Sequence, residues 1–227
     1  MDNQNKNDFY IHSIMCLIGG FMGGYAILNR CGNLGSAQTA NLIYVVTCFL
    51  GHNLKEFFIR ILGVVLYFIA IELYVFIVHK TKINVQRYGI LILIAGSIFL
   101  NFIPATSDPV AGLLPLFFIM ATQWSIFHGA NGYNSSTIFS TNNFRQASLA
   151  IGEYICTKDK GQISKAKFFG NSLLWYHVGV AFSFFACRFF NEHASLFCLI
   201  PEGISLLLTY KNSEVVSPVI KSKATTA

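Results

Sequence analysis

Gly129-Ala130-Asn131-Gly132-Tyr133-Asn134, followed by Thr141-Asn142-Asn143, interrupts an apolar run with a stretch rich in Gly, Asn and Ser. It ends in a Thr-x-Asn at the head of a short segment. The same order occurs earlier, where a loop beginning Cys31-Gly32-Asn33 leads to Thr39-Ala40-Asn41, at an offset of 102 residues. Asn29 and Asn131 match at that offset too. Transporters commonly build a midplane site from a duplicated membrane unit with interrupted helices. The pattern therefore predicts an all-α polytopic membrane protein that moves a solute.

Composition agrees with the membrane class. Mean hydropathy is +0.53, 54% of residues are hydrophobic and 11% are charged, against about 25% charged in soluble domains. The formal charge of +6 lies between apolar spans rather than along one polar face, so it reads as a topology signal and as contact with acidic lipid head groups. Nucleic acid is not an expected partner; the lipid bilayer is. The six cysteines show no CxxC and no Cys/His spacing, so neither a disulfide framework nor a metal site is expected. No Ser-His-Asp set, zincin helix or catalytic carboxylate pair is present, and neither an enzyme nor a cofactor is expected. The apolar run from Ile11 to Leu28 exceeds a signal-peptide core and reads as a retained first span.

A crossing helix needs about 20 apolar residues. Six stretches come near that length: 11–30, 57–79, 88–103, 109–128, 168–190 and 194–210. Segments 39–50 and 139–155 are poor spans, the first too short and the second carrying Asn142, Asn143, Arg145 and Gln146 near its start. With both dipping in and returning, and the N-terminus inside, twelve of the 16 Lys and Arg lie inside and Arg30, Lys55, Arg60 and Arg188 lie outside. That topology satisfies the positive-inside rule better than eight crossings, which would strand Arg145 in a span. It implies cytoplasmic termini and two halves inserted in opposite orientation. The expected order is a polar tail 1–10, a first repeat 11–103, a hinge 104–108 between Pro104 and Pro109, a second repeat 109–210 and a polar tail 211–227.

Thr39, Asn41, Thr141 and Asn143 read as helix N-caps, because such side chains accept from orphaned backbone N–H groups. Two helix starts entering from opposite faces would favour an anionic or strongly polar solute, and Arg145 would add positive charge. The same residues also suit plain capping. Gln123 is read either as facing the cavity or as packing. Glu202, in Pro201-Glu202-Gly203, predicts a broken helix with a coupling carboxyl; a span ending early would put it at the interface instead. Glu72 and His177 are further intramembrane ionisable groups, each with a bland reading as a paired or packed side chain. Gly19-Gly20-Phe21-Met22-Gly23-Gly24 gives overlapping Gly-x-x-x-Gly spacings that let another backbone approach.

Gly20-Phe21-Met22-Gly23-Gly24-Tyr25, then Ala37-Gln38-Thr39-Ala40-Asn41-Leu42, then the late second Thr-x-Asn, resemble the YoaK-like family of small bacterial multi-pass membrane proteins, domain of unknown function 1275. The family's usual motif is Thr-Gly-Asn where this chain has Thr39-Ala40-Asn41, and it has an acid in the first span where this chain has Gly23. The resemblance covers residues 11 to about 210, implies a bacterial inner-membrane protein, and brings no established activity. The expected function is a secondary transporter or exporter of a small polar or anionic solute. A passive channel and a non-transporting scaffold or partner subunit are the alternatives, and a homo-oligomer is compatible with each.

Overall fold

A computed structural model describes residues 3–104 and 106–211. The C-terminal tail expected from residue 211 lies outside the described residues apart from the backbone of Lys211. Among the described residues the architecture is helical, with one two-stranded hairpin pairing 129–130 with 133–134. The helices are α1 (Asn3–Asn29), α2 (Gln38–Leu50), α3 (Leu54–Lys80), α4 (Val85–Leu100), α5 (Leu114–Ile126), α6 (Thr141–Thr157), α7 (Lys160–Phe190) and α8 (Leu199–Lys211). Residues 3–10, expected as a tail, form the first turns of α1. Three helical stretches, Lys6–Asn29, Leu54–Lys80 and Lys160–Tyr210, are long and apolar enough to cross a membrane; α2, α4 and the run Ala111–Ile126 are shorter apolar helices.

Helix α1 is the axis of the bundle. Ile11, Met15, Ile18, Phe21, Met22 and Tyr25 are all buried, whereas α3 turns Phe58, Leu62, Val65, Phe68 and Phe76 outward. In a bilayer such an outward apolar face meets lipid rather than water. The glycine face of α1 explains its central place. A Cβ on Gly20 would collide with the Tyr176 carbonyl of α7, one on Gly24 with the Ser183 hydroxyl, and one on Gly179 of α7 with the Leu17 carbonyl. The two helices run parallel with backbones in close approach, the packing that small residues at helix interfaces permit.

The remaining pairs follow from named contacts. Gly63 and Tyr67 of α3 meet Phe117 and Trp124 of α5, so these two also run parallel. Gly89 and Gly96 of α4 meet Ile126 and Ile119, which makes α4 antiparallel to α5. Asn7 donates to the Leu208 carbonyl while Tyr25 donates to that of Glu192, setting α8 antiparallel to α1. Arg30, at the end of α1, donates to the carbonyls of Ile103 and Pro104, and Lys55, at the start of α3, pairs with Asp108. Residues 31–53 therefore leave and return at one end of the bundle. Helix α5 ends beside Gly89, and the early turns of α7 bring Phe168 against Phe9 of α1, so residues 127–159 leave and return at the other.

One expectation is corrected. The last apolar stretch does not break at Pro201-Glu202-Gly203. The chain breaks earlier, at Asn191 (φ 49°), and passes through a 3-10 segment, Asn191–Cys198, before α8 begins at Leu199. Pro201 thus falls in the first turn of α8, where the missing N–H costs nothing because that donor has no intrahelical partner.

Candidate functional site

Residues 135–140 run inward as an irregular strand before α6 begins. A Cβ on Gly19 would strike the Thr137 carbonyl, so this stretch lies directly on the glycine face of α1. Ser135, Ser136, Thr137 and Ile138 are buried, and so many polar backbone and hydroxyl groups in a core must find partners. Asn143 supplies most of them. Its Nδ2 donates to the carbonyls of Ser136 (2.7 Å) and Phe139 (3.4 Å), and its Oδ1 accepts from Ser135 (3.0 Å). Gln123 of α5 donates to Thr137 Oγ1 and to the Met15 carbonyl, pinning the same stretch from the other side.

These bonds revise the expected caps. The N-cap positions of α2 and α6 are Ala37 and Ser140, and neither makes a side-chain cap bond. Thr141 and Thr39 are exposed first-turn residues. Asn143 reaches back to the incoming strand instead of capping. Asn41, equally buried, donates to Gln38 Oε1 and the Arg60 carbonyl and accepts from Arg60 Nη1. Arg60 is held further by Glu56 (2.6 Å) and the Tyr44 ring. The two asparagine networks share no residue.

Beside the head of α6 lies an open chamber of about 700 Å³ with mixed polar and apolar walls. Tyr74, Trp124, Ser125, His128, Asn142 and Gln146 are among its walls, with Ser136 at its base. Because Ser140 gives no side-chain cap, the first N–H groups of α6 keep their donor capacity, and the positive end of the helix dipole lies there. Behind Ser136 and Asn143 sits His12, 2% exposed. Its Nε2 is 3.1 Å from Ser135 Oγ and 3.2 Å from Ser172 Oγ, and its ring stacks on Phe168 at 5.3 Å. Among the described residues, no group bonds its Nδ1.

The other expected site residues lie apart from this cluster. Glu202 is fully buried between α8 and α4, where Oε1 accepts from Ser97 (2.7 Å) and Cys198 lies beside the carboxyl. Glu72, Arg145 and His177 are exposed, and His177 Nδ1 lies against the Leu173 carbonyl of its own helix. So Asn143 and Gln123 are brought together on the 135–138 stretch, whereas Asn41, Glu202, Glu72 and His177 are not part of it. His12, Ser135 and Ser172 were not singled out by sequence. The available signal was a histidine at the start of the first apolar span, together with a Ser-Ser-Thr run at 135–137. Among the described residues, no group of three His, Cys, Asp or Glu side chains is placed to hold a metal ion.

A helical membrane protein is the class these observations define. A family model described as "Protein of unknown function (DUF1275)" matches residues 11–209, and the chain belongs to that family. Nothing matches among curated proteins or among solved structures.

Proposed function

We propose that this chain is a secondary transporter or exporter of a small polar, anionic solute in the bacterial inner membrane. The observation that carries the proposal is the open chamber at the head of α6, where Asn142, Gln146 and His128 converge among Trp124, Ile71 and Phe139. Arg145, on an adjoining face of the same two turns, adds positive charge. A chamber of a few hundred Å³ with a few convergent polar groups is the usual form of a small-molecule site.

The helix pairings support the duplicated, six-crossing reading. Helix α1 lies parallel to α7 as α5 lies parallel to α3; α8 opposes α1 as α4 opposes α5; α2 packs on α3 as α6 packs on α7. Two halves, 11–103 and 109–210, related by a pseudo-two-fold axis would give this set of pairs. Segments 31–53 and 127–159 are then re-entrant from opposite faces, each held by one asparagine, Asn41 or Asn143. The solute site belongs to the second of them.

Tracer flux into proteoliposomes of the full-length protein tests this, with inorganic phosphate, sulfate, succinate and glutamate as probes. Saturable flux that Asn142→Ala with Gln146→Ala weakens is expected. Nonsaturating flux would make the chamber a channel, and no flux or thermal stabilisation with any probe would leave a scaffold or partner subunit. Single cysteines replacing Asn33 and Asn53 in a cysteine-free chain should both label from one face of intact cells; opposite faces would end the re-entrant reading.

A further inference from the structure

His12 is the buried base that the transport reading does not yet use, and its hydrogen-bond geometry fixes where its free lone pair lies. Asn143 Nδ2 donates to two carbonyls, those of Ser136 and Phe139, which makes Oδ1 its acceptor end. The single O–H of Ser135 points to Asn143 Oδ1 (3.0 Å) or to Ser172 Oγ (3.3 Å), and in either case away from His12. Ser172 likewise donates to the Phe168 carbonyl one turn earlier. Both hydroxyl oxygens then face His12 Nε2 as acceptors, so Nε2 carries the hydrogen. Nδ1 is left as a bare lone pair, fully enclosed and without a donor.

We infer that His12 Nδ1 is the proton-binding site that couples solute movement to a proton gradient, an inference that rests on the transport reading above. Protonation adds one hydronium proton to the Nδ1 lone pair and forms an imidazolium; no other bond changes, and the same proton leaves when the solute leaves. A buried cation needs a compensating negative charge. An anion in the chamber supplies it, because Ser136 of the chamber wall is joined to His12 through Asn143 and Ser135. The face of Phe168, stacked on the ring, favours the cation further. Proton and anion each raise the other's affinity, as linkage requires, and the pair crosses as a symported unit.

The titratable neighbours are few. On α1 they are Cys16, whose Sγ lies 3.7 Å from Nε2, and Asp8, one turn before His12. His128 lies just past the end of α5. Helix α7 turns Ser172 and Phe168 to it, the 135–140 stretch Ser135, and α6 the amide of Asn143; α8 reaches this end of α1 through the Leu208 carbonyl.

His12→Gln isolates the role. A glutamine amide reaches the Nε2 position and donates to the same two hydroxyls, but it offers no base. Proteoliposomes are loaded with the four probe anions outside and an inward proton gradient is imposed. The wild type is expected to accumulate a probe above its outside concentration. His12→Gln is expected to equilibrate the same probe without accumulating it, while His128→Gln still accumulates. Accumulation by His12→Gln would overturn the coupling role and leave transport standing. Absence of flux in the wild type for every probe would overturn the transport reading, and the coupling with it. Independently, nitrogen-15 spectra of histidine-labelled wild type in bilayers, assigned by subtracting His12→Gln, should show Nε2–H and a bare Nδ1 at neutral pH. An Nδ1–H tautomer would overturn the inference whatever the flux.

Discussion

Replacing Gly20 by alanine sets two opposed effects against each other, and the structure says which wins. Alanine in a helix interior is worth about 1 kcal/mol over glycine. At Gly20, however, the new methyl would overlap the Tyr176 carbonyl oxygen, and the obstacle is backbone that no rotamer change can move. Overpacking of this kind costs about 1–3 kcal/mol, and a backbone obstacle belongs in the upper part of that range. Gly152 of α6 and Gly170 of α7 provide the controls, because a Cβ at either meets nothing within 4 Å. Gly20→Ala should therefore fall below Gly170→Ala by about 2–3 kcal/mol, roughly 5–10 °C in midpoint for a chain of this size. Gly179→Ala, which meets the Leu17 carbonyl from the other helix, should behave like Gly20→Ala. The assay is thermal unfolding in one detergent, backed by equilibrium unfolding in mixed micelles. Equal stability of Gly20→Ala and Gly170→Ala would refute the close approach of α1 and α7.

Asn143→Ala removes two bonds to carbonyls and one from Ser135, so a loss of about 1–3 kcal/mol and weaker protection of residues 135–140 in hydrogen exchange are expected; unchanged protection would count against the strand being held by Asn143. Asn41→Ala should cost a similar amount without altering exchange at 135–140, since its partners are Gln38 and Arg60. Glu202→Gln keeps an acceptor for Ser97, and it should leave both the midpoint and proton-driven accumulation near wild type; lost accumulation would move the coupling site to α8. The N–H groups of Ala111 and Val110, followed by Lys55, hold the Asp108 carboxyl below its ordinary 3.8 despite an opposing effect of partial burial. Its folded form is thus favoured above the unfolded value and loses that advantage as pH falls through the lower folded value. Wild type should show an extra fall in midpoint below about pH 4 that Asp108→Asn lacks.

Much of the fold was legible because polar residues bound each apolar run. Segment 57–79 corresponds to Leu54–Lys80, 39–50 to Gln38–Leu50, and 139–155 to Thr141–Thr157. The Gly19–Gly24 run announced a close helix contact and delivers one. The break near the last span was misplaced because Pro-Glu-Gly is a strong breaker in mid-helix and harmless in a first turn, and only the fold reveals where the turn begins. Outward placement of Glu72 and His177 was not readable, since helices apolar on every side give their period no phase. The His12 cluster was hidden for another reason. Its partners Ser135 and Ser172 lie 123 and 160 positions away, and no local pattern links residues so distant.

The parallel pairing of α1 with α7 also sets a timetable for biosynthesis. Asn29 of α1 bonds to Cys187, 158 positions later, and His12 awaits Ser172. At about 5–20 residues per second, the ribosome needs on the order of 8–30 s to make that interval. Throughout that time the first span has entered the membrane with its histidine and its bare glycine face unanswered. Chains arrested before α7 would present that face to whatever insertase or quality-control protease stands nearby. Helix α1 is made well before the α7 backbone that closes on its glycine face.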